Sequence, residues 1–274
     1  LLPLQHYPVG VVSFQDEIHL FTDNNSDGLN TYLNQDGIWQ KAESRRLTSR
    51  YGDQVVTYQE HIYVLGGAVV EKVDNGNTVS YNHDYEEGQQ IEVFNADCGQ
   101  GIGRWEFLTN SNGQIVTLPG KRAGHSVSIK VGKIFLFGGF NDEEKAVGEI
   151  DILDIDTMEW STSSEVIPYH TLFSEPIYAP YWIGASDTES AVINDSIIIK
   201  TLYQDGQYYT PLFYLYRPKT DSLVRVEDEY FHQPPYHIFG KMAGSKVLSK
   251  NGCLYLFGGM IKEYLPTNNV TVFY

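Results

Sequence analysis

The chain is poor in several things that would have named its chemistry at once. Its 274 residues include two cysteines, Cys98 and Cys253, too few for a disulfide framework. Basic residues are scarce, 19 Lys and Arg against 35 Asp and Glu, for a formal net charge of −16. That excludes a nucleic-acid binder, because phosphate contacts need clustered Lys and Arg. No apolar run approaches the roughly 18 residues of a membrane span, and no signal peptide is visible. There is no Gly-x-Ser-x-Gly elbow, no phosphate loop and no zinc motif. The expectation is a chain with no cofactor and no metal. A cytoplasmic home is the default, with secretion left open.

What the chain does have is repetition. Gly52, Gly124 and Gly244 each lie 14 residues before the first glycine of a pair: Gly66-Gly67, Gly138-Gly139 and Gly258-Gly259. A short apolar run precedes each pair: Ile62 to Leu65, Ile134 to Phe137 and Leu254 to Phe257. A fixed internal spacing means one supersecondary unit copied along the chain. The middle copy reads as a strand (Ser126 to Val131), a turn at Gly132-Lys133 and a strand buried on both faces (Ile134 to Phe137). A polar loop, a third strand (Glu149 to Ile155) and a fourth beginning at Trp160 complete it. Four antiparallel strands, then a return to the next unit, predict a propeller blade.

The segments Arg122-Ala123-Gly124-His125 and Ile134 to Gly139, followed by Trp160, resemble the kelch repeat. Arg50-Tyr51-Gly52, Gly66-Gly67 and Trp105 make a second match. Lys241 to Gly244 with Gly258-Gly259 make a third. The resemblance implies an all-β, kelch-type β-propeller of four-stranded antiparallel blades. Two degenerate copies fill the gaps. One holds Ser190 to Ile193, Ile197 to Ile199, Leu212 to Tyr216 and Leu223 to Val226; the other holds Val9 to Phe14, Ile18 to Phe21, Tyr32-Leu33 and Trp39. Residues 1–274 thus read as a single domain of five blades, approximately 5–46, 47–109, 120–164, 186–228 and 240–274. Residues 1–4 are candidates to close the last blade, and a sixth blade upstream is the other reading. Because the first residue is Leu1, the chain is expected to be a processed or excised piece; whether flanking domains exist is left open by the sequence.

Function is expected in the long connections, since rigid scaffolds carry their binding residues on loops. Tight turns join strands one and two (Gln59-Glu60, Gly132-Lys133, Asn251-Gly252). The long segments are Ala68 to Gln90, Phe140 to Gly148, Ser164 to Thr188 and Asp228 to Gly240. In an up-and-down blade these fall at one end. They hold Tyr169, Tyr178, Tyr181, Trp182, Tyr230 and Tyr236, with Tyr208 and Tyr209 assigned to the fourth blade's own loop. Tyr and Trp give large contact area at small entropic cost. Asp142, Glu143 and Glu144 add negative charge that would attract a basic segment of a partner protein. Arg50 and Arg122 begin innermost strands; they either bind an anionic group or hydrogen-bond backbone carbonyls. His125, at the kelch Gly-His position, is expected to be structural.

Enzymes weigh less. Galactose oxidase resembles the chain in fold, yet its copper site of tyrosines and histidines, with a thioether-linked cysteine, cannot be assembled here. His232 and His237 alone have ligand-like spacing. A glycosidase would need paired carboxylates, for which Asp53 and Glu189 are the sole candidates. The sequence therefore predicts a non-catalytic adaptor or scaffold binding a protein through an aromatic, acidic face. A carbohydrate-binding or carbohydrate-active propeller is the alternative.

Overall fold

The computed structural model describes residues 7–15, 17–23, 30–35, 38–41, 46–48, 50, 52–74, 79–95, 103–143, 145–168, 188–205, 208–226, 246–257, 260–261, 265–266 and 270–273. Among them there is no α-helix and every sheet pairing is antiparallel. The chain forms two compact units, Leu1–Ala123 with Ile155–Met158, and Gly124–Asp154 with Glu159–Tyr274.

In the first unit, β1 (Tyr7–Phe14), β2 (Glu17–Asp23), β3 (Asn30–Gln35) and β4 (Ile38–Lys41) make one four-stranded meander. A second is made by β5 (Gln54–Tyr58), β6 (His61–Leu65), β9 (Glu92–Asn95) and β10 (Arg104–Phe107). Between β6 and β9 the chain leaves the blade to form a separate two-stranded arm, β7 (Val69–Asp74) and β8 (Val79–Asp84). It returns through a single 3-10 turn, Glu87–Gln89. By its sequence, all of Ala68 to Gln90 reads as loop. Its strands escaped notice because Val69–Asp74 mixes apolar and charged residues without strict alternation.

In the second unit, β11 (Ser126–Lys130), β12 (Lys133–Phe137), β13 (Glu149–Asp154) and β14 (Glu159–Val166) form the next blade. β15 (Glu189–Ile193), β16 (Ser196–Asp205), β17 (Tyr208–Arg217) and β18 (Ser222–Arg225) form the one after. The last sheet holds β19 (Lys246–Lys250), β20 (Cys253–Phe257) and β23 (Val270–Phe273). A short hairpin, β21 (Met260–Ile261) with β22 (Leu265–Pro266), lies between β20 and β23. The third and fifth blades carry the Gly-Gly signal; the fourth, which lacks it, is legible from its apolar runs and from the turns at Asn194-Asp195 and Pro218 to Asp221.

Every hairpin between first and second strands has a two-residue turn whose first residue lies in the left-handed region: Gln15 (φ 49°), Gln59 (51°), Val131 (48°), Asn194 (50°) and Asn251 (53°). The middle turn is Val131-Gly132, one residue earlier than the sequence suggested, because a β-branched valine reads as strand. The glycine pairs also repeat one backbone shape, φ 69° and 93° at Gly66-Gly67 and 68° and 91° at Gly138-Gly139. At Gly138 the neighbour requires glycine too, since a Cβ there would meet the Thr188 hydroxyl at 2.3 Å; Gly88, outside the pairs, is held to glycine because its Cβ would lie 1.8 Å from the Gly67 carbonyl oxygen.

The cores lie between neighbouring sheets within each unit. In the first, Val12, Phe14 and Phe21 pack against Ile62, Val64 and Trp105. The Trp105 indole stands edge-on to Phe21 at 5.9 Å and tilted against Phe94 at 5.3 Å, which is the role expected of the blade tryptophan. Trp160, its counterpart, is only half-buried. In the second unit Phe135, Phe137, Ile150 and Ile167 meet Ile197, Ile199, Tyr214 and Tyr216.

Candidate interaction surface

Polar contacts fix how the blades of each unit are oriented. The Ser190 hydroxyl lies 2.7 Å from that of Ser126 and 2.8 Å from that of Ser128, while Lys130 Nζ donates to the Asn194 carbonyl at 2.6 Å. The Ser249 hydroxyl donates to the Val192 carbonyl. Turn therefore lies beside turn, and β11, β15 and β19 run the same way. In the first unit Gln15 Nε2 donates to Glu60 Oε2 at 2.7 Å, again turn beside turn. Within each unit the tight turns share one end of the blades, so the connections from second to third strand share the other.

Those connections are elaborated. In the second blade it is the β7–β8 arm. In the fourth, β16 and β17 stay paired out to Asp205↔Tyr208, five residues past the last pairing of β16 with β15. In the fifth it is β21–β22. In the third it is a compact loop closed by a Phe140↔Ala146 bridge and organised by Asn141, whose Oδ1 accepts the Glu143 and Lys145 amides at 3.0 and 2.9 Å. That geometry turns Asp142 and Glu143 out to solvent, with Lys145 Nζ 2.6 Å from Glu143.

The second-blade arm is anchored by buried charge. Arg46, Arg50, Asp53 and Glu92 have fully buried side chains. Arg50 donates to Glu92 at 2.9 Å and to the carbonyls of Gln90 and Glu87 at 2.8 and 3.1 Å, gripping the segment that returns from the arm. Glu92 also accepts the Leu47 amide at 3.0 Å and the Thr48 hydroxyl. Arg46 Nη2 sits 2.6 Å from Asp53, an ionic contact whose angle is outside hydrogen-bond geometry. Burial alone would raise the Glu92 carboxyl, but Arg46 and Arg50 outweigh it and hold it below the usual range. For Asp53 burial wins over the same two cations and pushes the carboxyl up. Burial likewise lowers Arg50.

Of the residues singled out in the sequence, Asp142 and Glu143 stand exposed on the arm-bearing end of their blade. Tyr208 and Tyr209 are in strand β17, not a loop; Pro211 and the nearby Gly206 had disguised the strand. Arg50 and Arg122 are 1% and 5% exposed, and Arg50 takes the carbonyl-bonding role. His125 is buried. Asp53 faces Arg46, and Glu189 opens β15 in the other unit. Tyr169, Tyr178, Tyr181, Trp182, Tyr230, Tyr236, Glu144, His232 and His237 lie outside the described residues. Sequence reasoning missed Arg46 and Glu92. The one hint was an acid, Glu92, at the head of an apolar strand. Among the described residues no group of three or more His, Cys, Asp and Glu is placed to hold a metal ion, and no helix is long and apolar enough to cross a membrane.

No family model matches the chain. Over 129 residues, 46% of the chain, it is 33% identical to Kelch domain-containing protein 3 of Bos taurus, covering 29% of that protein. Over 148 residues, 53% of the chain, it is 24% identical to protein tag-53 of Caenorhabditis elegans, covering 10% of that protein. The matched stretches are thus less than a third of either relative. Glycine-paired hairpins at one spacing, each opening an antiparallel blade, together with the likeness to a kelch-domain protein, support kelch-type propeller blades in this chain.

Proposed function

We propose that the chain is a non-catalytic protein-interaction module, an adaptor or scaffold, that holds a partner protein at the arm-bearing ends of its blades. One observation carries the reading: the second-to-third connection is elaborated in blade after blade, while the first-to-second turn is held to two residues throughout. A scaffold that varies one end and economises the other concentrates recognition at the varied end. The charge there favours a basic partner segment. Glu71, Asp74, Asp84, Glu86 and Glu87 outnumber Lys72 and the Lys121 paired with Glu86 in the second blade, and Asp142, Glu143 and Glu144 accompany Lys145 in the third.

Capture of partners on the immobilised chain tests this, followed by titration of the partner identified. Binding should weaken as salt rises, and again in the Asp142→Asn/Glu143→Gln/Glu144→Gln variant. The Tyr181→Ala/Trp182→Ala variant reports on the aromatic contribution, which a sugar ligand would need without any salt dependence. Binding indifferent to salt and to both variants would refute the reading.

A further inference from the structure

We propose that the β7–β8 arm receives an extended, basic peptide segment of the partner as an added third strand, paired along the outer edge of β8. The inference rests on the interaction reading above and gives it a place and a mode. A two-stranded ribbon is marginal in water, and a third strand is the ordinary remedy. Among the described residues no strand pairs with either outer edge of this arm. Its root is fixed: Arg50 holds the Glu87 and Gln90 carbonyls, and Gly88 lies directly on Gly67. Asp84 Oδ1 accepts the Glu86 amide at 2.9 Å at the point where the arm ends. A rigid root holds the edge in place for an incoming strand.

Each arm carries a guard on one strand and leaves its other strand without one. Proline within a strand lacks the N–H that a new neighbour would use, and it is the ordinary protection of an open edge. The extended β16–β17 ribbon contains Pro211, and β22 ends in Pro266. β7 carries Lys72, another edge guard, whereas β8 (Val79–Asp84) has neither proline nor lysine. Charge on the arm and its root selects the occupant: Glu71, Asp74, Asp84, Glu86 and Glu87 outnumber Lys72 and Lys121, the latter 2.6 Å from Glu86, so a segment alternating Lys or Arg with β-formers complements the arm.

The test uses the 274-residue chain and a short fluorescein-labelled peptide of alternating lysine and threonine, read by anisotropy. Its counterpart is N-methylated at every second amide, which removes donors along one edge and keeps the charge. The unmodified peptide should bind saturably, and N-methylation on the pairing edge should weaken it about tenfold. Bound peptide should slow amide exchange in residues 79–84. A variant with residues 71–82 replaced by a Gly-Ser turn should lose binding while its thermal unfolding stays cooperative. Equal affinity for the two peptides with salt-dependent binding retained would overturn strand addition and leave the acidic interaction surface standing. Protection elsewhere, or no binding of the unmodified peptide, would also overturn the proposal.

Discussion

Val131 is a β-branched residue at φ 48° with 86% of its surface exposed. Nothing in its surroundings repays that conformation, which costs an L-residue roughly 1–2 kcal/mol and costs Asn or Gly less. Val131→Asn creates the Asn-Gly turn already present at Asn251-Gly252. It should raise stability by about 0.5–1 kcal/mol, read from the midpoint of urea unfolding. His19 predicts a change of the other kind. It is buried edge-on to Phe14 at 5.5 Å, and burial lowers its pKa while Glu17, 3.9 Å away, opposes. The unfolded chain therefore takes up this proton first. The contribution of His19 is present above the ordinary histidine value of about 6.5 and is lost as pH falls below it. Urea midpoints at pH 7.5 and 5.5 should differ less in His19→Leu than in the unaltered chain.

At the scale of elements, the buried Arg46–Arg50–Asp53–Glu92 group decides how the second blade and its arm are joined. Removing one partner leaves an uncompensated buried charge, so Arg50→Ala should cost about 3–5 kcal/mol. It should also release residues 85–91, which lose their carbonyl anchors, to faster hydrogen exchange. A second clamp joins β14 to the turn before β18. Asp221, at φ 44°, accepts the Ser163 hydroxyl, the Ser164 amide and hydroxyl (both 2.8 Å) and the Tyr216 hydroxyl (2.7 Å). The Ser163 hydroxyl first, then the Ser164 amide, hold its carboxyl well below the usual range. Its stabilisation is complete at neutral pH and fades only as pH falls below the ordinary aspartate value of about 3.9. Asp221→Ala should lower stability at pH 7 by about 1–3 kcal/mol, with the difference shrinking in acid. Tyr216, by contrast, is pushed up to about 12, mainly by burial, and stays a donor throughout.

Across the whole molecule, the blades were legible because their signals are local. Glycine pairs need a positive φ that only glycine takes readily, and buried strands such as Ile134–Phe137 announce themselves by unbroken apolarity. The β7–β8 arm was not legible, because among the described residues β7 and β8 pair only with each other and their sequences alternate too weakly to separate strand from polar loop. Glu92 and Arg46 were invisible for a different reason: their pairing joins segments 46 residues apart, and no local pattern records it. The acids of the arm-bearing end could be read directly, since exposure leaves composition intact. The measurement that bears most directly on the account is the hydrogen-exchange footprint of a captured partner on the intact chain. Protection should fall on the arms, residues 68–90, 140–148 or both. Protection centred on the opposite turns, 59–60, 131–132, 194–195 and 251–252, with those arms unchanged, would contradict it.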